Sequence, residues 1–311
     1  MYTKKGGTNM IKVNNEVVHL KYFPDGTLNI KGNGNLHDGE VLISWHYHDD
    51  AEFMAVAMLT KWYQAMDNDV ILYMPYVPNA RMDRVEAVGD IMTAKYFCEM
   101  INSLNYKKVF IMDAHSNAIV ATLKNVMLIN SFPILDRTLR KICEIEGELP
   151  IMFYPDEGAM KRYAKDVKIP FAFGVKNRDW NTGKIISLEV FGFNADEIKG
   201  KNILIRDDIC SYGGTFYYAA KKLKEMGANN IYLMVTHCEN NIRNGRFGKE
   251  NVNLLETGLI KKVFTTDSIY TNDSSDMISV VTTGVDIDSN KNEEHCDCCN
   301  HCCCAEETKD E

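Results

Sequence analysis

The chain of 311 residues reads as an α/β protein with two similar halves, each a mostly parallel sheet flanked by helices. Two observations predict this. Apolar strand-like runs alternate with helix-period segments over most of the length, which is the pattern of parallel βαβ units. That alternation restarts near residue 135, as it does where one sheet ends and a second begins.

The elements follow in order. Asp69–Met74 is apolar after its first residue and reads as a strand. Asp90–Leu104 reads as a helix, because Ile91, Ala94, Phe97, Cys98, Ile101 and Leu104 recur at spacings that share one face. Lys108–Met112 is a strand, Ser116–Lys124 a helix and Val126–Ile129 a strand. A helix around Leu135–Glu146 is followed by the strand Ile151–Tyr154. The restart near residue 135 divides the chain into domains of residues 1–134 and 135–285, without a clear internal sequence repeat. From 286 to 311 the periodicity stops. That tail is polar and acidic around CDCCNHCCC, a composition without the apolar content for a packed core.

Bulk properties exclude several classes. Hydrophobic residues make up 45% and charged residues 25%, as in ordinary soluble domains. No run is long and apolar enough for a membrane span, and the N-terminal residues lack the apolar stretch of a secretory signal. The net charge is -8. Residues 286–311 hold nine acidic and two basic side chains, which leaves the rest near neutral and argues against nucleic-acid binding. Cys98, Cys143, Cys210 and Cys238 are scattered through the body without a disulfide framework, as in a reducing cytoplasm. The tail ligands His295, Cys296, Cys298, Cys299, His301, Cys302, Cys303 and Cys304 include soft donors for Zn²⁺ or Cu⁺. They lack the two separated pairs of a zinc module, so a disordered tail without a catalytic part is the expectation.

The segment 202–239 holds the chemistry. An apolar strand, Asn202–Arg206, runs into the carboxylates Asp207 and Asp208. A loop ending Gly213-Gly214-Thr215 opens a helix with Phe216, Ala219, Ala220, Leu223 and Met226 on one face and Gly227 as C-cap. The strand Ile231–Thr236 completes a βαβ unit. Glycines at a helix N-terminus let backbone N–H groups reach a phosphate. Paired carboxylates before them accept hydrogen bonds from a sugar diol or hold Mg²⁺. Together they imply a ribose 5-phosphate or a related nucleotide as ligand.

The same segment resembles the phosphoribosyl-pyrophosphate loop of type I phosphoribosyltransferases and ribose-phosphate pyrophosphokinases. Further segments follow the order of the second family. Pro75, Tyr76, Ala80, Arg81, Asp83 and Arg84 match its ATP loop, PYxxYARQDR, with Met82 in place of glutamine. Asp113-Ala114-His115 resembles its DLH motif, and Tyr154–Arg162 its SPDxGxxxR segment. Tyr22–Asn29 resembles a segment that places a phenylalanine on the adenine of a neighbouring subunit's site, with Phe23 and Asp25 matching and Thr27 replacing an acid. Val175–Arg178 falls where the family has a flexible loop carrying lysine and arginine, and Phe264–Ile269 resembles the strand VTDTI. The resemblance spans roughly residues 20–270, and six ordered motifs make it specific.

That resemblance implies two phosphoribosyltransferase-like domains and Mg²⁺-dependent pyrophosphoryl transfer from ATP to the anomeric hydroxyl of ribose 5-phosphate, with AMP released. Lys176 and Arg178 would stabilise the transition state. Arg81, Asp83, Phe23, Asp25 and His115 would address ATP. Asp207, Asp208, Ser211, Tyr212, Gly213, Gly214 and Thr215 would hold the sugar phosphate, and His115 and Asp156 the metal. A cytoplasmic homo-oligomer, dimer or larger, acting on small molecules is implied, with no nucleic-acid or membrane partner. Ser211 and Tyr212 replace the Asp-Thr pair of DD-x-x-D-T-x-G-T. The large Tyr212 opens an alternative acceptor, ADP-ribose, used by some phage-type relatives in NAD salvage. A catalytically silent regulatory homologue is a further alternative. A phosphoribosyltransferase is disfavoured by the ATP-type loop.

Overall fold

The structure, a computed structural model, describes residues 11–32, 39–178 and 185–284; for 176–187 it describes at most the backbone. The first sheet is formed by β1 (Ile11–Val13), β2 (Glu16–Val17), β5 (Glu40–Trp45), β6 (Asp69–Tyr73), β7 (Lys108–Met112) and β8 (Val126–Ile129), in the order β2-β1-β5-β6-β7-β8. From β5 to β8 all pairs are parallel, and β1 caps the edge antiparallel. A small hairpin, β3 (Lys21–Tyr22) with β4 (Leu28–Asn29), stands apart. Helices α1 (Ala51–Gln64), α2 (Thr93–Ser103) and α3 (Asn117–Thr122) connect the strands. Trp45, Tyr63, Phe97 and Leu72 are fully or nearly fully buried among them. Central strands covered by helices on both faces read as continuous apolar runs rather than alternating ones, which is why DVILY and KVFIM were legible as strands.

The second sheet has the order β11-β10-β9-β12-β13-β14-β15. Its strands are β9 (Ile151–Tyr154), β10 (Phe171–Arg178), β11 (Ile185–Phe191), β12 (Ile203–Cys210), β13 (Ile231–Cys238), β14 (Lys262–Thr266) and β15 (Ile278–Val281). Only β10 and β11 pair antiparallel. Its helices are α4 (Phe132–Glu146), α5 (Glu157–Tyr163), α6 (Ala195–Ile198) and α7 (Gly214–Glu225). All eight residues of β13 are buried, so β13 lies at the heart of this half. Helix α4 presents Ile134, Leu135, Leu139 and Ile142 to Met152, Tyr154, Leu204 and Tyr232 of the second sheet.

Two of the boundaries that differ from expectation do so for identifiable reasons. The helix expected from Asp90 begins at Thr93, because Asp90 Oδ2 accepts from the N–H groups of Glu86 and Ala87 and closes a turn instead. The strand expected to end at Arg206 continues to Cys210, because β13 stays in register beside it, Asp207 opposite Val235 and Cys210 opposite Cys238. The acidic pair is therefore part of the strand. Among the described residues no helix is long and apolar enough to cross a membrane, and the four described cysteines are free thiols. The acidic cysteine tail lies outside the described residues.

Candidate functional site

In open parallel sheets ligands bind beyond the carboxyl ends of the strands. Here those ends carry nearly every candidate residue. β6 leads into Pro75–Arg84, β7 into Asp113 and His115, β9 into Asp156, β12 through Asp207 and Asp208 into the 211–215 loop, and β13 into Glu239. The carboxyl ends of the two sheets meet, and the cleft between them is crossed by side-chain bonds.

Asp208 is the hub of the crossing. Its carboxylate lies 2.5 Å from His115 Nδ1 and 3.1 Å from Arg162 Nη1, and its side chain is only 6% exposed. Arg162 also donates to the backbone carbonyl of His115, so one guanidinium holds both the carboxylate and the loop carrying the histidine. Burial pushes the Asp208 carboxyl up, but the hydrogen bond and charge of His115 and the charge of Arg162 outweigh it and hold the pKa at about 2. Its neighbour moves the other way. Burial and the adjacent Asp208 charge push Asp207 well above the usual carboxylate range, and Asp156 adds to the push. Two carboxyl groups with pKa values driven apart by their surroundings are a mark of functional sites.

Three residues that sequence reasoning did not select complete the crossing. Asp113 has a positive φ of 43°, a conformation aspartate tolerates better than most residues. Its Oδ1 accepts from Tyr163 Oη at 2.9 Å and its Oδ2 from Thr236 Oγ1. Tyr163 is pinned in turn by the buried Arg206, whose guanidinium carbon lies 4.0 Å from the ring centroid while Nη1 pairs with Asp166 at 3.3 Å. His237 is buried, and burial lowers its pKa. As a neutral ring it must donate from Nε2 to the Met112 carbonyl at 3.1 Å, which leaves Nδ1 to accept from Ser268 Oγ at 2.8 Å. These bonds fix the ends of β7 and β13 against each other. Asp113 carried a signal through its place in the Asp113-Ala114-His115 segment; Tyr163, and His237 one residue beyond the strand read at Ile231–Thr236, carried none.

The 211–215 loop has the features of an anion site. Gly213 takes φ +90°, and a Cβ there would stand 2.8 Å from Leu254, so only glycine fits both the turn and the packing. Gly213 is the N-cap of α7 and gives its first turn no side-chain acceptor, nor does that turn contain an acid. Helix α5, by contrast, is capped by Asp156 Oδ1 accepting from Ala159 N at 3.0 Å. The uncapped N–H groups of α7 are the ones an anion would satisfy. Tyr212 is 54% exposed at the rim. The hydroxyl of Ser211 donates to Glu239 Oε2 at 2.6 Å, and Glu239 Oε1 reaches Arg81 Nη1 of the first half at 3.5 Å.

The structure thus brings together Arg81, His115, Asp207, Asp208 and Ser211. Asp156 stands near enough for its charge to act on Asp207. Phe23 and Asp25 lie in the β3–β4 turn, where Asp25 Oδ1 accepts from both the amide and the hydroxyl of Thr27. Phe23 is 44% exposed. Among the described residues no hydrogen bond or ring contact ties them to the cleft. Asp83 is two residues after Arg81 in the chain, and Arg84 pairs with Glu86 at 2.8 Å. Lys176 and Arg178 are strand residues of β10, opposite Leu188 and Ile185 of β11, rather than members of a loop after the strand; their side chains lie outside the described residues. Among the described residues no group of three or more His, Cys, Asp or Glu side chains is arranged to hold a metal ion. The carboxylate of Asp156, close enough to Asp207 for its charge to act there, is the donor type that suits Mg²⁺, which keeps several waters and is bound through one or two carboxylates plus substrate phosphates rather than a protein cage.

No protein-family model matches the chain. It is similar to a ribose-phosphate pyrophosphokinase of Saccharolobus solfataricus, 24% identical over 278 residues, covering 87% of this chain and 89% of the relative. It is also similar to a ribose-phosphate pyrophosphokinase of Thermosipho africanus, 27% identical over 268 residues, covering 83% and 80%. Among solved structures, phosphoribosylpyrophosphate synthetase of Mycobacterium smegmatis matches with a TM-score of 0.67, 20% identity and 86% of each chain covered. The fold expected from the sequence, two mostly parallel sheets flanked by helices, is the fold observed.

Proposed function

The chain is a divergent relative of the ribose-phosphate pyrophosphokinases, and on that premise we propose that it transfers the pyrophosphoryl group of ATP to the anomeric hydroxyl of a 5-phosphorylated ribose. One observation carries this reading. The residues expected on the ATP side, Arg81 and His115, and those expected on the sugar side, Asp208 and Ser211, meet across a single cleft. The anomeric oxygen attacks the β-phosphorus, the bond to the α-phosphate oxygen breaks, and AMP leaves. An in-line displacement of this kind depends on positioning and charge neutralisation more than on covalent chemistry.

The residues divide that work. The α7 N-terminus with Ser211–Thr215 holds the 5-phosphate, and Asp207 and Asp208 orient the ribose hydroxyls. Arg162 and His115 keep Asp208 ionised, so its oxygens remain acceptors. Asp207, with its raised pKa, is the member of the pair suited to take up the proton of the attacking hydroxyl. Arg81 and Asp83 address the nucleotide, Phe23 and Asp25 the base of a neighbouring subunit's ATP, and Lys176 and Arg178 offset the charge that develops on the transferring phosphates. Mg²⁺, held by His115 and Asp156 with the substrate phosphates, would supply further neutralisation of that charge. Residues 1–134 form the ATP-side domain and 135–285 the sugar-phosphate domain in this reading.

A second acceptor, ADP-ribose, is favoured by the exposed Tyr212 at the loop's rim, where an aromatic face stands ready for a larger substituent. The test is to incubate the purified full-length chain with ATP, Mg²⁺ and either ribose 5-phosphate or ADP-ribose and to follow AMP. Release dependent on one of these sugars supports the reading and identifies the acceptor. ATP binding with no AMP from either favours a silent regulatory homologue.

A further inference from the structure

The roles assigned above leave Glu239 unused, although it stands between the two substrate-binding segments. Its backbone is fixed where β13 ends, its N–H donating to the Cys210 carbonyl at 2.8 Å. One carboxylate oxygen, Oε2, accepts from Ser211 Oγ at 2.6 Å and from Asn241 Nδ2 at 3.1 Å. The other lies 3.5 Å from Arg81 Nη1, and the side chain is 27% exposed. Ser211 is the first residue of the proposed phosphate loop. Its hydroxyl, a donor the loop would offer to a phosphate oxygen, is committed to a carboxylate, and the arginine nearest that carboxylate comes from the ATP-side segment.

A fixed negative charge therefore stands one hydrogen bond away from the group the loop is to hold. Coulomb repulsion grows in proportion to the charge of that group. A phosphate monoester carries close to two negative charges above its second pKa of about 6, whereas a phosphodiester carries one. We propose that Glu239 is a specificity-determining residue of the acceptor site, discriminating against a doubly charged phosphate monoester in the 211–215 loop and in favour of a singly charged phosphodiester. The inference rests on the sugar-phosphate reading of that loop and deepens it, by naming the charge class of the group bound there. Arg81 tempers the repulsion only while it remains with Glu239. When Arg81 turns to the nucleotide, the carboxylate acts on the acceptor with its full charge.

Isothermal titration of the full-length chain at pH 8 with ribose 5-phosphate and with its 5-(methyl phosphate) ester tests this, in the wild type and in Glu239→Gln. Glutamine keeps the size and the acceptor oxygen for Ser211 and removes only the charge. The expected result is that the ratio of monoester to diester affinity rises about tenfold or more in Glu239→Gln, equivalent to roughly 1.4 kcal/mol. An unchanged ratio overturns the proposal. So does parallel weakening of both esters in the variant, which would make Glu239 a structural support of the loop. If the wild type binds neither ester, the sugar-phosphate reading itself falls and Glu239 loses this role with it.

Discussion

Asp208→Asn removes one charge from the centre of the cleft network while preserving the shape of the side chain. The wild-type carboxylate is 6% exposed and has a pKa of about 2, roughly two units below its usual value. A depression of that size contributes roughly 2–3 kcal/mol of stability at neutral pH. Because the folded value is the lower one, the contribution is complete above the unfolded value of about 4 and is lost as pH falls towards 2. The substitution also relieves Asp207, whose carboxyl is pushed up partly by the Asp208 charge, and this returns part of the loss. The expected net destabilisation at pH 7 is therefore about 1–2 kcal/mol, or roughly 1.5–3 °C in Tm for a chain of this size. Urea and thermal unfolding of both proteins between pH 7 and pH 3 measure it. The gap between wild type and variant should be present at pH 7 and should narrow below about pH 4, as Asp208 takes up a proton in the unfolded wild-type chain. A variant as stable as wild type at pH 7, or a gap indifferent to pH, would show that His115 and Arg162 do not hold this carboxylate as described.

Other perturbations have separate signatures. Asp207→Asn should raise Tm at pH 7, because burial and the Asp208 charge disfavour the ionised carboxylate, while impairing turnover. Since the folded pKa of Asp207 is the raised one, the gain should grow as pH climbs above about 4, and a variant less stable than wild type at pH 7 would contradict this. Lys176→Ala should leave unfolding unchanged and raise the barrier by about 3–4 kcal/mol, the scale of a lost charge-stabilising donor; unaltered kcat would remove Lys176 from the reaction. Gly213→Ala forces a side chain into positive φ at a cost of about 1–2 kcal/mol and should weaken ribose 5-phosphate in a titration. Equal binding and equal Tm would mean that the turn does not need glycine. Tyr163→Phe removes one bond to Asp113 and should cost about 1 kcal/mol in urea unfolding, with no change there contradicting the assigned bond.

The parallel strands were legible because helices cover both of their faces and leave unbroken apolar runs, as in IYLMVT, the first six residues of β13. The loop at 211–215 was legible because its glycines answer a local requirement, a positive φ beside Leu254. The edge elements β1 and β2 were not: they have three and two residues, and β1 is placed in the sheet by its pairing with β5, distant in sequence. The cross-cleft network was hidden for the same reason. Asp113 and Arg162 stood in recognised motifs without a role of their own and Thr236 at the end of a strand; their meaning comes from packing two sheets end to end. Asp208 illustrates the limit from within a recognised motif. Its position was evident from the sequence, but its commitment to His115 and Arg162, and the resulting division of labour with Asp207, required the fold. The extension of β12 through the acidic pair had the same origin, since only the register with β13 shows that the strand does not stop at Arg206.

The central claim is a transfer of two linked phosphates to a sugar held by the 211–215 loop. Phosphorus NMR of a reaction containing the full-length chain, ATP, Mg²⁺ and ribose 5-phosphate or ADP-ribose tests it most directly. The expected products are AMP and a new diphosphate ester on the sugar's C1 oxygen, appearing in equal amounts. ADP with a singly phosphorylated sugar, or nucleotide unchanged with either acceptor, would contradict it.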